Sequence, residues 1–407
     1  MIDGISPIKY LLAFIKIKAM KSTKLYMILL FLPVTLFLNA QDIDTLLDIG
    51  GYDKHFVIWE GEGIPILFES GGGNDASIWK ELAIDLHQIT GAPIITHDRS
   101  GYGSSEYNPR LKEDKKALIS YGAEELIMGM EKLGYGKEFM LVAHSYGGLY
   151  ASYLVNVFPD RVKGIVLIDA SLASFYTDEY NKQLDVERSP EWFLDIKSKS
   201  KPLYYECLAN RESIEIVQKM TFPSALPIID LVAENPPFAR AEDNERWKSE
   251  HLKFYNTSEK RIGVMAYNCG HYLHFDQPAI AMNAIVKLFC EVSSDIDINK
   301  IMSLSMDYNM KSINEYRKEE YAFWHSERAI NAWGYEHLNA GNPHEAIKLF
   351  ELNTLLFPTS ANVWDSLAEG LLKEGHDHKA RRMYEKSLKL DPSNENANTQ
   401  IGKLINQ

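Results

Sequence analysis

The sequence predicts an α/β domain with a mostly parallel sheet and helices on both faces, followed by an all-α module of helix pairs. Two observations support this fold class. From about residue 55 to residue 292, short apolar runs alternate with longer helical stretches, as in sheets whose strands are joined by crossover helices. Nearer the C-terminus, side chains recur at an interval of 34 residues, a period typical of stacked helix pairs.

The first 40 residues form a segment of their own. Five of them are lysines, one is acidic, and an uncharged run extends from Leu25 to Leu38. As a helix this run spans about 21 Å, which is shorter than the roughly 30 Å hydrocarbon core of a membrane. The pattern predicts an export signal at 1–40, cut after Ala40, with Met20 as a second candidate start. We therefore expect a periplasmic or extracellular protein without a stable membrane span, and an uncleaved anchor is the alternative.

The composition of the chain excludes some classes of partner. The 56 acidic residues outnumber the 43 lysines and arginines, which gives a net charge of −13. We expect no binding to nucleic acid or to anionic membranes, because both are bound through basic surfaces. Cys207, Cys269 and Cys290 lack the spacing of a zinc or redox motif. We therefore expect no metal and no cofactor, and the pairing of the three cysteines stays open.

The elements of the α/β domain follow from the apolar runs and from the turn residues between them. Strands are expected, in order, at 55–59, 64–68, 93–97, 139–143, 162–168 and 226–232. Helices are expected at 78–88, 117–133, 148–158 and 280–292. The polar stretch 171–222 interrupts the alternation and is too long for a plain loop. It predicts a helical cap within a domain that covers 41–293.

A repeat marks the last part of the chain. Three positions carry the same or a similar residue 34 positions later: Ala346 and Ala380, Phe350 and Tyr384, and Pro358 and Pro392. This period resembles that of tetratricopeptide repeats, so 326–407 is expected to form two repeats and a capping helix after a helical linker at 294–325. Because two repeats bury little surface, we expect them to pack on the linker, on the sheet domain or on another chain. Their expected role is docking to a protein partner or self-association.

A serine between a strand and a helix is the first feature with chemical meaning. Ser145 follows the apolar run 139–143 and precedes the helix at 148–158. Small residues, Ala143 and Gly147, stand two positions away on each side. A nucleophile elbow requires small residues there, because the strand and the helix approach closely around a strained turn. Ser145 is therefore the candidate nucleophile.

The base and the groups that stabilise an oxyanion are expected on separate loops. A serine becomes a useful nucleophile once a base removes its proton, and His271, which follows a glycine late in the chain, is the candidate base. His274 lies among apolar and aromatic residues and is expected to be packed structure. The backbone amides of Tyr146 and of Gly72, in a turn of three glycines, are the candidate oxyanion-hole donors.

Together these motifs resemble those of the α/β-hydrolase family over residues 50–293. The matching segments are Ser70-Gly71-Gly72, the run from Asp98 to Ser105, the turn at Ser145, Ile168-Asp169-Ala170 and Gly270-His271. The resemblance implies that family's fold, with 171–222 as the cap over the active site. It also implies acyl transfer to water, since the members of the family that open epoxides or remove halides have a carboxylate in place of Ser145.

The acidic partner of the histidine stays open between two residues. Most members of the family have an aspartate after the seventh strand, but this sequence has Glu234 near that place and no aspartate in the turn. Asp169 ends the sixth strand, which is the place used by lipase-like members. We favour Asp169 and keep Glu234 as the alternative, because either carboxylate can fix the tautomer of His271. Asp230 is disfavoured because it lies within a strand.

The sequence therefore predicts an exported serine hydrolase that cleaves a small or medium carboxylic ester, with Ser145, His271 and Asp169 as its catalytic residues. Aminopeptidases, thioesterases and lactonases use the same kind of triad, so an amide or another acyl compound is an alternative substrate. The alternative of a different class is a non-catalytic scaffold, in which the repeats bind a partner and the hydrolase fold is inert.

Overall fold

A sheet of eight strands organises the part of the chain that the structure describes. This computed structural model describes residues 42–114, 116–316 and 327–405. The strands are Ile43–Asp48 (β1), Asp53–Trp59 (β2), Ile66–Glu69 (β3), Ile94–His97 (β4), Phe139–His144 (β5), Val162–Ile168 (β6), Ile228–Asn235 (β7) and Arg261–Gly270 (β8). Their order is β1-β2-β4-β3-β5-β6-β7-β8, with antiparallel pairs at β1–β2 and β2–β4 and parallel pairs elsewhere.

Helices cover both faces of this sheet. The helices up to the linker are α1 (Lys80–Thr90), α2 (Pro109–Asp114), α3 (Ile119–Lys132), α4 (Gly147–Val157), α5 (Asp178–Glu187), α6 (Pro190–Lys199), α7 (Lys201–Val217), α8 (Ala241–Tyr255), α9 (Leu273–Asp276), α10 (Pro278–Val292) and α11 (Ile298–Tyr316). One apolar core lies between the sheet and α1, α10 and α11, and a second lies between the sheet and α3, α4 and α7. This is the α/β architecture that the alternation of apolar runs and helices predicts.

The central strands show why a continuous apolar run forms a strand here. All six residues of β5 are buried. Met140 and Val142 point into the core under α1 and α10, whereas Phe139 and Leu141 point into the core under α3 and α4. Because successive side chains of a strand point to opposite faces, a strand covered on both faces needs apolar residues at every position.

Two strands form where the apolar pattern predicts none. β1 mixes acidic and apolar residues and is largely exposed, and it forms by antiparallel pairing with β2, for example Ile43 opposite Ile58. β8 contains Gly263, where a Cβ atom would lie 2.1 Å from the ring of Tyr255. Both strands are specified by pairing with a neighbouring strand, which the apolar pattern of the strand itself does not reveal.

Three helices, α5, α6 and α7, occupy most of the stretch expected to be the cap. The residues that precede these helices are Thr177, Ser189 and Ser200. The side-chain oxygen of each accepts a hydrogen bond from the backbone N–H three residues later. Prolines occupy the first turn of α6 and of α7, where a missing N–H costs nothing. The stretch 171–222 therefore carries its own helix start signals.

The linker helix α11 belongs to the sheet domain by its packing. Its buried residues Ile301 and Met302 lie in the same apolar core as Leu288 and Phe289 of α10. Ile301 is 5% exposed and Met302 is 3% exposed, so both side chains add buried apolar surface that stabilises this core. The helix in the expected linker therefore packs against the sheet domain.

Five helices lie in the described residues 327–405. They are α12 (Glu327–Asn339), α13 (Pro343–Leu356), α14 (Ala361–Lys373), α15 (Asp377–Leu390) and α16 (Glu395–Ile405). The first residues of α12, α14 and α16 are 34 positions apart, as are those of α13 and α15. The four recurring side chains Ala346, Phe350, Ala380 and Tyr384 are completely buried in one cluster. This module contacts the linker, since Lys348 of α13 donates a hydrogen bond to Ser303 of α11.

Three further predictions concern the export signal, a membrane span and the cysteines. The predicted export signal at 1–40 lies outside the described residues. Among the described residues, no helix combines the length and the apolar character that crossing a membrane requires. Cys207, Cys269 and Cys290 are free, and only Cys269 is buried.

Shortening Met302 tests whether α11 completes the sheet core. We expect Met302→Ala to lower the free energy of unfolding by about 2 to 5 kcal/mol, since it leaves a cavity at a buried site. The matched control is Met128→Ala on α3, where the side chain is 41% exposed and the expected change is within about 0.5 kcal/mol. Urea unfolding measures both, and equal effects would show that α11 is not part of the core.

Candidate active site

Ser145 lies in a sharp turn between β5 and α4, and its backbone φ angle is 51°. A positive φ is unfavourable for a residue with a side chain. The turn is held by two hydrogen bonds to the Ser145 carbonyl, from the N–H groups of Gly148 and Ser171 at 2.9 and 2.7 Å. A Cβ atom on Gly147 would lie 2.7 Å from the carbonyl oxygen of Glu69, and one on Gly148 would lie 2.5 Å from that of Ser171. Glycine is therefore required at both positions.

Asp169 is the first residue after β6, and it is completely buried. Its φ angle is also positive, at 41°. One carboxylate oxygen, Oδ1, accepts hydrogen bonds from the N–H of Ala233 at 3.1 Å and from the indole N–H of Trp247 at 2.8 Å. These donors come from β7 and α8, so three elements fix the orientation of the carboxylate and leave Oδ2 for another partner.

His271 joins the acid to the serine. It follows β8, and its Nδ1 lies 2.6 Å from Oδ2 of Asp169 while its Nε2 lies 2.8 Å from Oγ of Ser145. Because a carboxylate only accepts, Nδ1 carries the proton and Nε2 is free to accept the serine O–H. The loop is held by the N–H of Gly270, which donates to Asp276 at 2.7 Å. The structure thus brings together Ser145, His271 and Asp169.

Glu234 occupies a different place. It lies at an irregularity in the pairing of β7 with β8, between Ala233 and Asn235. The Nδ1 side of His271 is taken by Asp169, so the geometry favours Asp169 over Glu234 as the acidic partner.

Asp230 forms a second buried pair that the sequence does not reveal. Its two carboxylate oxygens lie 3.0 and 2.8 Å from Nδ1 of His251, on α8. Burial opposes the charged form of this ring, but the Asp230 carboxylate outweighs burial and raises the pKa of His251. The pair holds α8, which carries Trp247, against β7.

A layer of aromatic rings supports His271 from behind. The rings of His144 and His271 have centroids 4.7 Å apart, and His274 lies 4.9 Å from His144 and 4.5 Å from Trp79. His144 donates from Nε2 to the carbonyl of His271 at 3.0 Å. Burial lowers the pKa of His144 well below its usual value and that of His274 to about 3. Both rings are therefore neutral packing groups at neutral pH.

The glycine turn lies directly above the elbow. A Cβ atom on Gly71 would come within 2.8 Å of the His144 ring and 3.1 Å of Cβ of Ser145. One on Gly72 would lie 3.6 Å from Cβ of Tyr146. Within the described residues, neither the Gly72 amide nor the Tyr146 amide donates a hydrogen bond to the protein. The two predicted donors thus come from adjacent segments of the chain.

The structure adds a buried charge that the sequence gives no functional reason to single out. Arg99 follows β4, is 4% exposed, and donates to the carbonyl of Ser70 at 2.8 Å and to that of Gly71. It also donates to the buried carboxylate of Glu69 at 3.0 Å. In the sequence, only its place in the run from Asp98 to Ser105 marks Arg99. The groups it contacts lie about 30 residues earlier in the chain, so no local pattern reveals them.

The mostly parallel sheet and a serine at the turn between β5 and α4 define the α/β-hydrolase class of folds. The profile of the alpha/beta hydrolase fold family matches residues 64–263. Over these residues the chain is similar to that family, and the match supports a hydrolase.

Two relatives in bacteria illustrate the similarity. The uncharacterized protein YqjL of Bacillus subtilis is 24% identical over 233 residues, which cover 56% of this chain and 84% of that protein. The esterase Rv0045c of Mycobacterium tuberculosis is 32% identical over 113 residues, 28% of this chain. The chain spans only 35% of the length of this esterase.

Solved structures with a similar arrangement include the epoxide hydrolase CorEH, with 16% identity and a TM-score of 0.47 over 62% of this chain and 99% of that one. Another is a thermophilic esterase from Thermogutta terrifontis, with 19% identity and a TM-score of 0.45 over 63% of this chain and 100% of that one.

Replacing His274 with phenylalanine tests its neutral, buried state. An unfolded histidine titrates near pH 6.5 and the pKa of His274 is about 3, so the unfolded chain binds an extra proton between these values. The stability from this group is complete above about pH 6.5 and falls by about 1.4 kcal/mol per pH unit on acidification. We expect His274→Phe to remove this slope in urea unfolding measured from about pH 4 to pH 7. The variant His378→Phe, at an exposed ring, is the control, and equal slopes in both variants would contradict the assignment.

Proposed function

We propose that the protein is a serine hydrolase that cleaves a small or medium carboxylic ester through an acyl-enzyme. The observation that carries this proposal is the hydrogen-bonded series Asp169, His271 and Ser145, with distances of 2.6 and 2.8 Å. These distances place a base within reach of the serine proton and an acid within reach of the base, which nucleophilic catalysis by serine requires.

The reaction follows from the positions of these groups. Oγ of Ser145 attacks the ester carbonyl while Nε2 of His271 takes the serine proton. The buried Asp169 carboxylate stabilises the imidazolium that forms and holds its tautomer. His271 then gives the proton to the leaving alcohol, and a water activated by the same ring releases the acid from Ser145.

The Gly72 and Tyr146 amides are proposed to bind the oxyanion of the tetrahedral intermediate. A donor of this kind is typically worth about 3 to 4 kcal/mol in the transition state. Its value depends on being oriented before the reaction, and the position of the glycine turn over the elbow supports this role.

An ester is favoured over the other acyl substrates by one comparison. The match to the Mycobacterium tuberculosis esterase supports ester cleavage, and it extends over 113 residues. Amides, thioesters and lactones require the same groups, so the substrate class is tested by assay. The alternative of an inert scaffold is opposed by Ser145, whose unfavourable φ of 51° would have no purpose without a nucleophile.

The remaining parts of the proposal concern location and partners. The basic and apolar segment at 1–40 supports export to the periplasm or beyond. The 34-residue spacing of helix starts supports tetratricopeptide-like repeats after the linker. We propose that this module docks the enzyme to a protein partner or to a second copy of itself.

Labelling with a fluorophosphonate probe tests the nucleophile and the base. We expect the full-length protein to be labelled, Ser145→Ala not to be labelled, and His271→Ala to be labelled at least about a hundredfold more slowly, since the base removes the serine proton. The neighbouring serine variant Ser171→Ala serves as a control for probe specificity. Labelling that persists in Ser145→Ala would refute the proposal.

A pair of carboxylate variants tests the acid. On a short acyl ester, we expect Asp169→Asn to lower kcat by about 10⁴-fold, because the histidine loses its tautomer and its counter-charge. Glu234→Gln should stay within about threefold of the parent. Steady-state kinetics measure both, and the reverse ranking would make Glu234 the acid.

A further inference from the structure

The guanidinium of Arg99 lies beneath the proposed oxyanion loop. It donates to two successive carbonyls of that loop, those of Ser70 and Gly71. It is almost completely buried, so these bonds are not exchanged for water. Arg99 is therefore the charged anchor of this loop, beside the bond from the N–H of Asn74 to the Gly71 carbonyl at 3.3 Å and the bond from the N–H of Gly73 to the Tyr102 hydroxyl at 3.2 Å.

The bond to Gly71 determines where the Gly72 amide points. The carbonyl of Gly71 and the N–H of Gly72 belong to one planar trans peptide, in which the two groups point in opposite directions. When Arg99 holds the carbonyl, the N–H is directed away from the guanidinium. A peptide between two glycines otherwise rotates easily, since neither residue has a side chain to restrict it.

The cap supplies the second carboxylate that holds Arg99. Oε1 of Glu206, on α7, lies 2.9 Å from Nε of Arg99, and its Oε2 accepts the hydroxyl of Tyr102 at 2.8 Å. Glu206 is 4% exposed, and a Cβ atom on Gly72 would lie 3.6 Å from its Oε2. Leu203, one turn earlier on α7, lies 3.5 Å from the corresponding position on Gly73. The cap thus contacts the loop and its guanidinium at the same place.

We propose that Glu206 is a positioning residue that couples the docking of α7 to the orientation of the oxyanion hole, through Arg99. With α7 in place, Arg99 lies between Glu69 of the sheet and Glu206 of the cap and is held against the Gly71 carbonyl. With α7 displaced, the guanidinium keeps Glu69 as its carboxylate partner, and the Gly71 carbonyl keeps the longer bond from the N–H of Asn74 at 3.3 Å, so the Gly71–Gly72 peptide is held less tightly. This inference rests on the proposed function of the site and deepens it.

Kinetics of Glu206→Gln test the coupling. The substitution keeps the size of the side chain and removes the charge that holds Arg99. On a short acyl ester we expect kcat to fall by about 10- to 100-fold, a part of what deleting an oxyanion donor costs. KM should change by less than about threefold, because the donors act on the transition state.

A pair of inhibitors separates positioning from structure. A trifluoromethyl ketone forms a tetrahedral adduct with an oxyanion, and its affinity should fall with kcat in Glu206→Gln. The matched methyl ketone binds without forming a stable oxyanion, and its affinity should stay unchanged. A variant that merely loosened the cap would weaken both ketones.

The same helix provides the control. Glu212 of α7 forms an ion pair with Lys116 at 2.8 Å, with both side chains 46% exposed and away from the loop. Glu212→Gln should match the parent in kcat, KM and both affinities. Tyr102→Phe removes the hydroxyl that donates to Glu206 and accepts the N–H of Gly73. It should lower kcat with little change in KM, and an unchanged kcat would contradict the coupling where Glu206→Gln does not fold.

The outcomes are distinct. If the parent neither hydrolyses esters nor reacts with the probe, the proposed function itself fails. If the parent is active and Glu206→Gln behaves like Glu212→Gln, or raises KM alone, the coupling is refuted while the proposed function stands.

Discussion

The close contact of β3, β5 and α4 around Ser145 is the constraint on which the rest of the site depends. A backbone with φ at 51° costs roughly 1 to 3 kcal/mol, and it persists because the surrounding chain leaves it no alternative. Gly147 and Gly148 let backbone carbonyls approach where any side chain would collide. The same closeness brings the glycine turn after β3 to the elbow, so one packing contact sets both the nucleophile and its oxyanion donors.

The charged side chains that are buried around this contact have hydrogen-bonded partners. Asp169 has His271 and the indole of Trp247, Asp230 has His251, and the carboxylate of Glu69 has Arg99. An isolated buried charge costs several kcal/mol, whereas a paired and hydrogen-bonded one is tolerated. Asp169 and Asp230 link β6 and β7 to α8, and Glu69 links the end of β3 to Arg99 after β4, so the geometry at Ser145 depends on several strands of the sheet.

The parts of the fold that the sequence predicts are those determined locally. The strands from β3 to β6 consist mostly of apolar residues, and the elbow at Ser145 has its own steric signature, so both are expected from sequence. β1 forms by pairing with β2 and β8 by pairing with β7, and neither has the apolar pattern of the inner strands. Glu206 lies in a polar stretch rich in acids, where only the folded chain distinguishes it. The choice between Asp169 and Glu234 depends on which carboxylate lies within hydrogen-bond distance of His271, and only the folded chain provides that distance.

The position of Met302 in the sheet core has a consequence for synthesis. A ribosome must have made about three quarters of the 407 residues before α11 can close the core. Until then, the part of the core that α11 covers stays exposed, and chains in that state are prone to aggregate or to bind chaperones. The nascent protein is therefore expected to reach its native fold late, after most of the polypeptide has left the ribosome.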